Sequence, residues 1–415
     1  MSELPAGWST RPLRDLTLPI TKVVPIDTGR ETIRYIDIGS VSGARHALTD
    51  VQEIAADGAP SRARQVVAAG DTVFSTVRPY LEKIAYVDDS LDSEFASTGF
   101  SVLRPSPDLA PKYLYYFSIS RAMLDQILPL QKGVSYPAVL DKEVRAAVVP
   151  VPPLVEQRRI VEILEDHFSR IDTGEGLLRS VARRGDLLEL ASLNLLVPEG
   201  TPTVTLKEIA VSAGYGTSTK CVVDGPGVPV ARIPNVVNGA IDLADEKRAE
   251  DPNVDLSELM LREGDLLFVR TNGSRDLIGR TAVAQRGIKA SFASYLIRYQ
   301  LDPERVEASW VHYMMRRPQA RAEIERLASS SAGQLNLSLA KLDKVRVPLP
   351  DLPTQRQLIA AYEASLDGPR RLIESSERAG RQAARLRRAL LTAAFSGKLT
   401  GMDIDDERVE EMAGV

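Results

Sequence analysis

At 415 residues the chain is too long for one hydrophobic core, and an apolar content of 44% is ordinary for a soluble protein of two to four domains. Its single cysteine, Cys221, excludes an internal disulfide and a cysteine metal cluster; no run of 18 apolar residues occurs and MSELPAGWST lacks an apolar signal region, so a cytoplasmic protein without a membrane partner is expected. The net charge of −4 argues against a broad basic face, yet residues 402–411 alone carry −5, which leaves the remainder at +1.

In chain order, residues 1–153 read as short β-branched strands broken by Gly, Pro and Asp, with one or two helices: an irregular α+β region. AGDTVFSTVRP (69–79) is a Gly-Asp turn entering an apolar strand, FSVLRP (100–105) a buried strand and YLYYF (113–117) a helix. VPVPPLVEQRRIV (149–161) follows, where Pro150 and Pro152 should stop the strand at a stiff corner and Gln157 and Arg158 fall in the first turn of a helix.

Residues 154–197 are predicted as a long helix. Alternating steps of four and three select Ile160, Leu164, His167, Ile171, Gly174, Leu178, Val181, Gly185, Leu188, Ser192 and Leu195, a seam that must face another helix. Gly174, Gly176 and Gly185 should each weaken it by about 1 kcal/mol relative to Ala.

Residues 198–352 then repeat the first region. EGDLLFVRTNG (263–273), SYLIRY (294–299) and WVHYM (310–314) echo the three stretches above, and VPLPDLPTQRQLI (347–359) echoes the joint with six of thirteen positions identical. The offset stays between 194 and 198, so one ancestral unit is used twice. Residues 353–400 form the second predicted helix, opened by Pro353, with Leu358, Tyr362, Ser365, Pro369, Leu372, Ser376, Ala379, Ala383, Leu386, Leu390 and Ala393 on its seam and a bend at Pro369. Two copies of one unit associate most readily about a two-fold axis, which predicts an antiparallel coiled coil between the two α+β regions; residues 401–415 form an acidic tail.

The chain shows no catalytic or nucleotide-binding motif, and its three histidines, His46, His167 and His312, form no cluster; a non-enzyme with no bound cofactor and no metal is expected. The polar, glycine-flanked loops suit nucleic acid, since Arg reads guanine, Asn and Gln read adenine, and Ser, Thr and Tyr hold phosphates. In the first copy the candidates are Arg45, Thr76, Arg78, Tyr80, Lys132, Ser135 and Tyr136; in the second, Tyr215, Thr217, Ser218, Lys220, Arg270, Thr271, Asn272, Ser274, Arg275, Gln334 and Asn336. The near-neutral charge keeps a second reading open, a coiled-coil scaffold that binds proteins and not DNA.

LPAGWSTRPLRDL at the start, GDTVFSTVRPYLEKIAYV (70–87), the paired joints and the closing RRALLTAAFSGKLT (387–400) together resemble the specificity subunits (HsdS) of type I restriction-modification systems over residues 4–400. The resemblance implies two target recognition domains, each reading one half of a split, asymmetric sequence in double-stranded DNA. It also implies helices that set the gap and dock two methyltransferase subunits, with or without two restriction subunits. S-adenosylmethionine would then belong to the methyltransferase partners, and ATP and Mg to the restriction partners. The first helix departs from the pattern by ending in LELASLNLLVPEG (188–200), not in an AFSGKL-like stretch.

Overall fold

The computed structural model describes residues 4–133, 136–331 and 333–400. The chain divides into two compact units: unit 1 joins the residues up to Leu178 with those from Glu377 onward, and unit 2 is Arg179–Ser376. Both are α+β, and each contains an end of both long helices.

Unit 1 is closed at its base by an antiparallel ribbon of Ser9–Pro12 with Val148–Val151. Between those strands lie two four-stranded sheets and the helices Pro111–Ser118, Arg121–Ile127 and Asp141–Ala146. Unit 2 repeats the plan: a ribbon of Thr203–Thr205 with Arg346–Pro348, a six-stranded and a four-stranded sheet, and the helices Ala308–Arg316 and Pro318–Leu327. In both, the strand after the Gly-Asp turn, Thr72–Ser75 or Leu266–Val269, is buried along its whole length, and residues of it enter the core with the aromatic helix behind.

The repeated letters turn out to be repeated contacts. Gly70 (φ +92°) and Gly264 (φ +85°) take the left-handed conformation that a side chain disfavours. Each following aspartate closes its turn, Asp71 accepting from the Ala68 amide at 2.8 Å and Asp265 from the Arg262 amide at 2.9 Å. Arg104 grips Asp71 with two bonds of 3.0 and 2.7 Å, and Arg298 stands 3.6 Å from Asp265. Tyr113 donates its hydroxyl to the Pro150 carbonyl (2.8 Å), and Trp310 its indole N–H to the Pro348 carbonyl (2.7 Å).

One expectation about the prolines needs correcting. Pro150 lies within its ribbon, paired with Thr10 and followed by Val151, and does not end it, whereas Pro348, paired with Thr203, is the last residue of its strand. A ribbon of two strands leaves each an outer edge, where a missing N–H costs no ladder bond. The corner itself is made by Pro152 and Pro153 before the helix Leu154–Leu195, and by Pro350 before the helix beginning at Leu352.

The helix pairing is antiparallel, as the duplication predicts. In unit 1, Ile160, Leu164 and Phe168 near the start of the first helix share a core with Leu390, Leu391, Ala394 and Phe395 near the end of the second. In unit 2, Leu193 and Leu196 at the end of the first share a core with Tyr362 and Leu366 of the second. Thus LELASLNLLVPEG buries Leu193 and Leu196, 198 positions before Leu391 and Ala394, which RRALLTAAFSGKLT buries, despite the different letters.

The seam departs from a strict heptad. Ile160, Leu164, Tyr362 and Leu390 are buried, and Ile171, Leu178, Val181, Leu358 and Leu386 are half-buried. Leu188 and Leu195, however, are 54% and 86% exposed, while Leu196 is 6% exposed. Ten steps of about 3.5 residues from Ile160 reach position 195, whereas ten of about 3.6, the repeat of a straight helix, reach 196. The same drift replaces His167 by Phe168, and Leu188 by Glu189, which accepts from the Tyr362 hydroxyl (3.3 Å) and pairs with Arg316. In the second helix Leu372 is 42% exposed because the helix breaks between Leu352–Ser365 and Asp367–Phe395. Pro369 has no N–H to give the Ser365 carbonyl, so the register shifts at Leu366 and Ile373 turns inward instead.

The seam glycines differ in role. A Cβ on Gly174 or Gly176 would meet nothing within 4 Å, so each Gly→Ala change is expected to raise stability by about 0.5–1 kcal/mol. A Cβ on Gly185 would sit 3.2 Å from the Ile373 side chain, and Gly185→Leu is expected to lower stability by about 1–3 kcal/mol. Urea denaturation of the three variants should therefore show midpoints moving in opposite directions.

Candidate nucleic-acid interface

In unit 1 three loops meet. The hairpin of Val41–Ser42 with Ala47–Leu48 comes so close to the loop 76–83 that a Cβ on Gly43 would lie 1.9 Å from the Leu81 carbonyl oxygen. Residues 136–139 join them: the Arg78 amide donates to the Pro137 carbonyl (2.7 Å), and the Val139 amide to the Thr76 carbonyl (2.9 Å). Arg45, Thr76, Arg78, Tyr80, Lys132 and Tyr136 are thereby carried on one cluster of loops, while Ser135 lies outside the described residues.

Within this cluster the side chains are not equally free. The Thr76 hydroxyl donates to the Gly99 carbonyl (2.8 Å), so it holds the loop and has spent its proton. Lys132 stands 3.5 Å from Glu143, whose pKa is held below its ordinary value chiefly by the Leu140 amide and secondarily by Lys132. Tyr80 and Tyr136 are 49% and 72% exposed. The Arg78 guanidinium lies over the Tyr136 ring, 4.9 Å from its centroid. His46 braces the hairpin: its Nδ1 is 3.1 Å from the Glu82 carbonyl, and its backbone carbonyl accepts from the Tyr115 hydroxyl (2.8 Å). Burial holds its imidazole pKa below 6.5 against the upward pull of Glu82, so the ring next to Arg45 is neutral at pH 7.

Unit 2 builds its cluster on the same frame. Arg270 occupies the place of Thr76: its amide donates to the Tyr295 carbonyl (3.0 Å) and its carbonyl accepts from the Leu337 amide (2.8 Å), as Thr76 does with Gly99 and Val139. Its guanidinium, though, is largely spent inside the protein. It donates to the carbonyls of Leu337 (3.4 Å) and Ser294 (3.2 Å) and to Asn336 Oδ1 (3.0 Å), and it stacks 4.8 Å from the Tyr215 ring centroid. The Tyr215 hydroxyl in turn accepts from the Leu339 amide (2.9 Å), so Tyr215, Arg270 and Asn336 form one braced wall.

Thr271 and Asn272 pair as a short strand with Asn336 and Leu335, and Asn272 Oδ1 caps the Ser274 amide at 2.8 Å. Thr217 turns its own loop by accepting from the Thr219 amide (3.0 Å), and Lys220 pairs with Glu250 (2.8 Å). Ser218, Arg275 and Gln334 are exposed. Buried His312 belongs to none of this: its Nδ1 is 2.8 Å from the Thr281 hydroxyl, burial lowers its pKa to about 4, and it supports the left-handed turn at Gly239.

Sequence reasoning missed three contributors. Arg62 is exposed beside the unit 1 cluster, its carbonyl accepting from the Thr98 amide (2.9 Å) next to Gly99; the SRAR stretch was its signal. Tyr295 is exposed next to Arg270, although SYLIRY reads as a wholly buried strand. The third is the glutamine of the joint. Gln157 is fully buried, accepting from the Ala110 amide (2.8 Å) and donating to the carbonyls of Asp108 and Pro152 (both 3.0 Å). Gln355 makes the same three bonds to Glu307 (3.0 Å), Arg305 (3.0 Å) and Pro350 (2.8 Å). Each glutamine locks an α+β region onto the first turn of its helix.

These features define a duplicated recognition protein: one loop frame built twice, each copy clamped to a long helix. Among the described residues no group of three His, Cys, Asp or Glu could hold a metal, and no helix is long and apolar enough to cross a membrane. A family model described as the type I restriction modification DNA specificity domain matches residues 5–183. The chain is 21% identical to the StySPI specificity subunit of Salmonella potsdam, across 96% of this chain and 90% of that one. It is 23% identical to the EcoKI specificity subunit of Escherichia coli K12, across 72% and 68%. A solved structure from work on complex assembly and conformational transition of the type I R-M system matches with 27% identity and a TM-score of 0.72, over 96% of this chain and all of that one. The chain thus carries a match to the type I restriction modification DNA specificity domain over residues 5–183, and along most of its length it is similar to specificity subunits of type I restriction-modification systems, which are non-catalytic.

Proposed function

We propose that this subunit reads a split, asymmetric sequence in double-stranded DNA, with the loop cluster of unit 1 on one half and that of unit 2 on the other. The observation that carries this reading is the contrast between frame and tip. The Gly-Asp turn, the glutamine clamp and the bonds around Thr76 and Arg270 recur at equivalent places. The side chains presented there, STVRPY with QKGVSYP against VRTNGS with AGQLN, do not. A repeated frame with unlike reading residues fits two different half-sites better than a palindrome. The helices would hold the gap and dock two methyltransferase subunits carrying S-adenosylmethionine, with or without two restriction subunits using ATP and Mg, in the cytoplasm where the DNA is.

The ribbons show where to cut for a test. Exchanging residues 13–147, everything between the paired strands Ser9–Pro12 and Val148–Val151, for those of a relative leaves ribbon and clamp glutamine in place. Mapping N6-methyladenine in cells carrying the chimera should show one half of the target changed and the other retained. A change in both halves, or in neither, would overturn the assignment of one half to each unit.

A further inference from the structure

Positive φ angles are rare outside glycine because Cβ crowds the backbone, and they gather where function holds the chain against its preference. Among the described residues six non-glycine positions have them, and three belong to the single loop cluster of unit 1: His46 (φ 49°), Arg78 (φ 48°) and Glu82 (φ 49°). Arg78 stands at the centre. Its amide is tied to Pro137 (2.7 Å), and its carbonyl accepts from the Leu81 amide (2.9 Å). Backbone and stacking ring thus fix where the guanidinium goes. Unlike Arg270, it makes no side-chain hydrogen bond or ion pair among the described residues, so its donors remain free.

An arginine held in place with an unspent fork of donors is suited to two parallel bonds to the O6 and N7 acceptors of guanine. We propose that Arg78 is a specificity-determining residue, that it reads a guanine, and that the half-site of unit 1 therefore contains one. Tyr136 is its positioning residue, the ring that keeps the guanidinium from swinging. Arg270 has no such role, being a brace. This rests on the DNA-reading function proposed above, and the guanine adds a statement about one base.

The test uses the full chain assembled with its methyltransferase subunits, with the methylated sequence as the readout. Arg78→Ala and Arg78→Lys are both expected to relax one guanine position in one half of the target, by tenfold or more in relative methylation rate, while the other half is read unchanged. The unchanged half shows that the variants fold and assemble. Tyr136→Ala should relax the same position less strongly. Lysine separates base from backbone: it keeps a point charge for a phosphate but loses the two-pronged geometry. A Lys variant that methylates the wild-type target normally, with an Ala variant weakened uniformly across sequences, would make Arg78 a phosphate contact and overturn the proposal. Unaltered specificity in both variants would overturn it too. Failure of the wild-type complex to methylate any specific sequence would instead refute the DNA-reading function itself.

Discussion

Replacing Gln157 by methionine, which keeps length and approximate volume, is expected to destabilise unit 1 by about 3–5 kcal/mol. The side chain is fully buried and meets one N–H and two carbonyls. Methionine satisfies none of them, and each stranded buried polar group costs about 1–3 kcal/mol, the N–H most. Glutamate is no remedy, because it accepts from Ala110 but cannot donate to Asp108 and Pro152, and its charge would be buried. Because two units need not unfold together, the measurement is amide hydrogen exchange on the intact chain. Gln157→Met should strip protection from the Ala110 amide and leave the Glu307 amide protected; Gln355→Met should do the reverse. Equal protection in variant and parent at both amides would mean that the clamp is incidental to the joint.

The joint also shows where sequence reading stops. Position told that Gln157, with its repeat Gln355, lies in a first helical turn, but not that it is buried. Their burial depends on a loop 47 to 50 residues earlier that presents one carbonyl and one amide, beside the carbonyl of Pro152 or Pro350 five residues before, and no local pattern encodes that loop. The duplication itself was fully legible, since both copies preserve the Gly-Asp turn and the arginine that meets it. So was the antiparallel pairing, which follows from using one unit twice. Leu188 and Leu372 were misassigned for opposite reasons, one because a straight helix drifts slowly from a heptad, the other because a proline three residues earlier shifts the register abruptly. Among the reading residues, composition could name Arg78 and Arg270 alike. Only the bonds around each separate the free guanidinium from the spent one.

A matched insertion of four residues into both long helices, after Leu178 in the first and after Ser376 in the second, is expected to lengthen the tolerated gap between half-sites. Neither half-site should change. Four residues add about 6 Å and advance the helix by one turn and about 40°, so the apolar stripes on either side remain nearly in phase. Along B-DNA about 6 Å corresponds to at most two base pairs, and to fewer if the helices are inclined to the duplex. An insertion in one helix alone is different. In unit 1, Ile160 and Leu164 must still meet Leu390 and Leu391; in unit 2, Leu193 and Leu196 must still meet Tyr362 and Leu366. Unequal lengths cannot satisfy both sets of contacts without bulging one helix or stripping a core. The single insertion should therefore abolish site-specific methylation, which the matched partner insertion restores with a longer gap. Methylation mapping distinguishes these outcomes directly. Unchanged spacing in a folded matched variant would take the measuring role away from the helices and give it to the partner subunits.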